Sequence, residues 1–96
     1  MAQTVRDNRA LTRYELDTAG GLAFIDYTRT GAVVTMVHAE VPPALQGHGI
    51  GSRLVRGALD LVRAAHEQVV PRCPFVVDYV NQHPEVQDLL AKPPAR

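Results

Sequence analysis

The sequence predicts an α+β domain, on three observations. Residues up to about 41 alternate short β-forming segments with glycine turns, residues 46–51 form a glycine-rich run, and a helix with one apolar face follows that run. With 96 residues the chain makes one small domain, 1–96, in which Lys92–Arg96, with two prolines, reads as a loose tail. Ten basic and ten acidic residues cancel, so net charge gives no footprint for nucleic acid. The N-terminal residues include Arg6 and Asp7 and no apolar signal core, and no apolar run approaches the ~20 residues of a membrane span. Cys73 stands alone and can form no internal disulfide. The expectation is therefore a cytoplasmic protein with no nucleic-acid or membrane partner. His38, His48, His66 and His83 are scattered, with no paired-cysteine or H-E-x-x-H spacing, and no metal site is expected.

Taken in order, Val5–Asn8 and Arg13–Leu16 mix β-formers with charges and read as outer strands. Ala19-Gly20-Gly21 is a turn. Leu22–Thr28 sets Leu22 and Phe24 on one face and Ala23, Ile25 and Tyr27 on the other, as in a strand covered on both sides. Thr30-Gly31 reverses the chain into Ala32–Val41, apolar or β-branched until His38 and Glu40, which makes a hairpin partner. Pro42-Pro43 cannot donate ladder hydrogen bonds, so this strand parts from its neighbour near Val41 and leaves an opening beside the glycine run.

A helix is expected from Gly49 to Glu67. Ile50, Leu54, Ala58, Leu61, Val62 and Ala65 form the stripe that lies on the sheet, with Arg53, Arg56, Asp60, Arg63 and Glu67 opposite. Gly57 inside it costs about 1 kcal/mol relative to alanine, and close packing is the reason offered. Val69-Val70 begins a strand parallel to Ala32–Val41, with the helix as a right-handed crossover. Phe75–Asn81 has helical spacing, and Pro84 opens one or two more turns that end near Leu90.

The run Gln46-Gly47-His48-Gly49-Ile50-Gly51 lies between strand and helix, where glycines let backbone approach an anion and unpaired helix N–H groups face it. A dinucleotide fingerprint counted from Gly47 needs glycine where Ser52 stands. A Walker loop needs Lys and then Ser or Thr after its last glycine, where the chain has Ser52-Arg53. The pattern that fits is R/Q-x-x-G-x-G/A, on Gln46, Gly49 and Gly51. With the flanks H-A-E-V-P-P-A-L-Q-G-H-G-I-G and V-V-P-R-C-P-F-V-V-D-Y-V-N-Q-H-P-E, about residues 5–90 resemble the short single-domain branch of the GNAT superfamily of N-acetyltransferases.

That resemblance implies a GNAT-like fold: a mainly antiparallel sheet splayed at its middle, with one long and two short helices. It implies acyl-CoA in the V-shaped opening, with its pyrophosphate on Gln46, Gly47, His48, Gly49, Ile50, Gly51 and Ser52, mostly through backbone amides. Val41 resembles the position whose backbone pairs with the pantetheine arm, and Glu40 the general-base carboxylate. The implied activity is transfer of an acyl group, most simply acetyl from acetyl-CoA, to an amine of a small molecule, peptide or protein, by a monomer or weak homodimer. The alternatives are a CoA-binding or sensing module without turnover, and an interaction domain that has lost CoA. Larger members have final strands that help form the acceptor pocket, so this short chain leaves the acceptor open.

His38 and Glu40, two apart on a strand, share a face, expected toward the acyl end. Either group can take the proton that an amine must lose before attacking a thioester. Equally, His38 can be a satisfied core histidine and Glu40 a solvated strand end paired with an arginine. Cys73 has three readings: a nucleophile that carries the acyl group in a two-step reaction, a donor that protonates the leaving thiolate in direct transfer, or a buried inert thiol. Tyr79 reads as a packing residue.

Overall fold

The computed structural model describes residues 4–91, so the expected tail Lys92–Arg96 lies outside the described residues. Strands β1 (Arg6–Asn8), β2 (Arg13–Thr18), β3 (Gly21–Thr30) and β4 (Val33–Glu40) are followed by a 3₁₀ turn, Pro43–Leu45, and helix α1 (Ile50–Ala64). Then come β5 (Gln68–Pro71), α2 (Pro74–Gln82) and a 3₁₀ stretch, Pro84–Leu89. The five strands lie in sequence order in one sheet, antiparallel except for β4 and β5, which run parallel on either side of the α1 crossover. This is the expected α+β architecture, with a mainly antiparallel sheet, one long helix and two short helical segments.

Alternation along the strands sends Tyr14, Leu16, Ala23, Ile25, Tyr27, Val34 and Met36 to one face, all buried. α1 packs on that inner face and touches every strand, while α2 and the last 3₁₀ stretch pack against α1, and α2 also against β4 and β5. In contact with the sheet, α2 and the last 3₁₀ stretch, α1 buries a wider arc than the expected stripe. Val55 and Leu59 are fully enclosed, Leu61 is half-buried and Ala65 is exposed. The helix also stops at Ala64, short of Glu67. His66 takes φ +59°, and its N–H and that of Glu67 bond back to the carbonyls of Arg63 and Val62, closing a Schellman cap. Gly57 is where α1 presses on the chain before β1: a Cβ there would lie 2.3 Å from Val5 Cγ2. No helix among the described residues is long and apolar enough to cross a membrane.

β3 is not covered on both faces as expected. Ala23, Ile25 and Tyr27 are buried on the inner face, but Leu22, Phe24 and Asp26 are only half-buried on the outer one. Charged side chains occupy part of that outer face instead. Glu15, 2% exposed, accepts hydrogen bonds from Arg13 at 2.6 Å, Arg6 at 2.7 Å and Asn8 at 3.1 Å. The Arg13 guanidinium, helped by Asn8 and Arg6, holds the Glu15 carboxyl below the usual carboxylate range, against burial that pushes the other way. Arg13 also lies over the Phe24 ring at 4.7 Å.

Candidate functional site

The site begins with a bulge in β4. Tyr27 pairs with Met36, but the next residue of β3, Asp26, pairs with His38, so Val37 is an extra residue on β4. Simple alternation would put His38 on the same face as Met36. The bulge instead sends Ala39 to the inner face with its partner Ile25, and His38 and Glu40 to the outer face with their partners Asp26 and Phe24. At the same level β5 leaves the ladder. The N–H groups of Arg72 and Cys73 both donate to the Met36 carbonyl, at 2.9 and 3.2 Å, and beyond Met36 no strand among the described residues pairs with β4 on that side. The result is a fork with β4 as one prong and the start of α2 as the other.

Inside the fork is a cleft of about 530 Å³. Of the expected cofactor-binding residues, Val41, Gln46, Gly47, Gly49, Ile50, Gly51 and Ser52 line it, while His48 does not. Ala39, Leu45, Leu54 and Phe75 complete the lining. Gly47 and Gly49 take φ +87° and +75°, the left-handed region that favours glycine. Gly49 is the N-cap of α1 and no side chain caps that end, so Ser52 does not serve as a cap. The first helical bond runs from Arg53 N–H to the Gly49 carbonyl, which leaves the amides of Ile50, Gly51 and Ser52 without acceptors among the described residues. With no acidic residue in that first turn, the amides and the helix dipole together suit an anion. Gly51 has a different reason to be glycine than Gly49: its missing Cβ makes room for the Phe75 ring, which would otherwise be 2.7 Å away.

His38 and Glu40 come together, Nε2 to Oε1 3.6 Å, both exposed. They flank the fork from the outer face and do not line the cleft. The His38 ring meets Phe24 edge-on at 6.4 Å, so it is not a core histidine. Cys73 is the N-cap of α2, 6% exposed, and is not part of the cleft lining. Tyr79 packs as expected, buried and stacked on His83 at 4.0 Å. Among the described residues, no three His, Cys, Asp or Glu side chains gather to hold a metal ion. Sequence reasoning missed Phe75, whose helical spacing assigned it to an apolar stripe. It is 45% exposed and forms a cleft wall.

Comparison with known proteins bears on this geometry. The model of a family described as GCN5-related N-acetyl-transferase matches residues 13–89. Two relatives, each called Protein NATD1, from Gallus gallus and Mus musculus, are 35% identical over 57 residues, 59% of this chain. That match spans about half of the relatives' own length, 52%. Among solved structures, the NMR structure of a candidate GCN5-like N-acetyltransferase from Staphylococcus aureus superimposes with a TM-score of 0.69. It covers 94% of this chain and 89% of its own, at 18% identity, a likeness of fold alone.

Proposed function

The chain belongs to the GCN5-related N-acetyltransferase family, and from that premise we propose that it is an acyl-CoA-dependent N-acyltransferase, most simply one that moves acetyl from acetyl-CoA to an amine. One observation carries this reading: the cleft joins amides at the start of α1 and an edge of β4 that have no partner among the described residues. The first feature suits a diphosphate, and the second suits an extended arm bearing its own amides. Gln46, Gly47, Gly49, Ile50, Gly51 and Ser52 would hold the diphosphate, with His48 beside them, and the Val41 backbone would hold the pantetheine.

In the reaction the amine nitrogen attacks the thioester carbonyl carbon; a C–N bond forms and the C–S bond breaks. The amine proton passes to Glu40, directly or through His38, and the departing thiolate takes a proton from solvent. Direct transfer fits better than an acyl-Cys73 intermediate, because the thiol is buried and stands outside the cleft lining. Calorimetry with CoA tests the reading: micromolar-range binding that is lost in Gly49→Val supports it, and no binding at millimolar ligand overturns it.

A second reading is a CoA-binding or sensing module without turnover, favoured by the absence of His38, Glu40 and Cys73 from the cleft lining. An amine library monitored for free CoA thiol separates the two. Thiol release with any amine supports the transferase, and tight CoA binding with no release from any amine supports the sensor.

A further inference from the structure

We propose that Phe75 is the residue by which the cleft tells coenzyme A from other diphosphates, its ring packing on the geminal dimethyl group of the pantoyl unit; this rests on the acyl-CoA reading. Among the described residues only three large apolar side chains are exposed, and Phe75, at 45%, is the one that lines the cleft. The other large apolar residues of the lining are already engaged. Leu54 and Ile50 belong to the core, and Leu45 is packed against Gly20, where a Cβ would lie 2.8 Å from it.

The ring is placed by its tip and by its anchor. The atoms nearest a Cβ built on Gly51 are Phe75 Cζ at 2.7 Å and Cε2 at 3.0 Å, so the tip touches the middle of the three amides, Ile50, Gly51 and Ser52, that have no acceptor among the described residues. An aromatic edge carries the positive part of the ring quadrupole. The tip therefore tolerates an anion on those amides and leaves the ring faces for apolar groups. The anchor is Cys73, the N-cap of α2, whose N–H is bonded to the Met36 carbonyl at 3.2 Å and whose carbonyl accepts from Val77 N–H at 3.0 Å. Pro74 between them fixes the first helical turn, so the Phe75 backbone is preorganised beside the amides.

In CoA the diphosphate is followed by one methylene, then a carbon bearing two methyl groups, then the hydroxyl and first amide of the arm. A diphosphate on the Gly51 amide brings that dimethyl carbon, two bonds beyond the phosphate oxygen, within reach of the side chain that touches Gly51. The rest of the arm continues to the β4 edge in the same cleft. There the ring shields two methyl groups from water, a gain that a nucleoside diphosphate, with nothing at this place, or a dinucleotide, with a polar ribose, does not receive.

The test uses the full chain, labelled with ¹³C and ¹⁵N, and unlabelled CoA. Isotope-filtered NOEs from the two CoA methyl singlets to the Phe75 ring, and an upfield ring-current shift of those singlets on binding, are expected in the unsubstituted protein. Phe75→Ala should weaken CoA binding about tenfold, the worth of two buried methyl groups, and change ADP binding less than about twofold. Phe75→Leu, which keeps apolar cover, should abolish the upfield shift and cost no more than about threefold in affinity. Methyl NOEs to Leu45 or Ala39 with none to Phe75, equal weakening of CoA and ADP, or unchanged CoA affinity in Phe75→Ala would overturn the assignment. A chain that binds no CoA before any substitution instead overturns the acyl-CoA reading beneath it.

Discussion

The side-chain amide of Gln46 donates a hydrogen bond to the Val41 carbonyl at 3.3 Å, tying the glycine loop to the tip of β4 across the mouth of the cleft. Both residues are proposed CoA contacts, so one proposed contact occupies the other. An arm pairing with the Val41 backbone must replace this bond, and the exchange should nearly cancel, since an exposed hydrogen bond contributes about 0.5–1.5 kcal/mol net. Gln46→Ala should therefore change CoA affinity by less than about threefold. A tenfold loss in calorimetry would mean that the Gln46 side chain, and not only its backbone, grips the ligand.

Gly49 and Gly51 look equivalent in the motif, but their substitutions should behave differently. Gly49 has nothing within 4 Å of a Cβ, and its φ of +75° alone should make Gly49→Ala cost about 1–2 kcal/mol. Gly51→Ala meets only the tip of an exposed Phe75 ring and gains part of the roughly 1 kcal/mol by which alanine favours a helix. Urea melts should rank Gly49→Ala as clearly the less stable. Equal losses would mean that the Phe75 ring cannot swing aside.

The meander, the crossover helix and the glycine loop were legible because each has a local signal: turn glycines, one apolar face, and prolines that end β4. The bulge was not. Val33 to Val37 is apolar or β-branched almost throughout, so no alternation marks where the pleat slips, and the face taken by His38 follows only from its pairing with Asp26. The end of α1 was missed because His66, not glycine, takes the left-handed position. Val55 and Leu59 were missed because α1 packs against α2 and the last 3₁₀ stretch as well as the sheet, tertiary contacts that no pattern within α1 announces. Within the candidate site, the loop residues could be read in sequence, whereas Phe75 as a wall required knowing that Gly51 leaves space for it.

Gly57→Ala should destabilise the protein in spite of alanine's better helix propensity. The added Cβ would lie 2.3 Å from Val5 Cγ2 and 2.7 Å from its Cβ, so α1 and the chain before β1 must separate. Overpacking of this kind costs about 1–3 kcal/mol. Adding Val5→Ala should recover only part of the loss in thermal melts, because the Val5 Cβ is itself too close. Full recovery would show that the methyl groups alone set the spacing.

Glu15 should give the protein an acid-sensitive component of stability. Its folded pKa is depressed, first by the hydrogen bond from Arg13, so its contribution is fully present above the unfolded carboxylate pKa near 4.3 and is lost as pH falls through the lower folded value. Denaturant melts from pH 7 down to about pH 3 should show stability falling below about pH 4.5. Glu15→Gln keeps the shape but leaves the Arg13 and Arg6 guanidinium groups without their anion. It should cost about 1–3 kcal/mol at pH 7 and flatten the acid limb. An unchanged slope in Glu15→Gln would assign the acid sensitivity to other carboxylates, such as the exposed Asp88 that Arg63 also holds below its ordinary range.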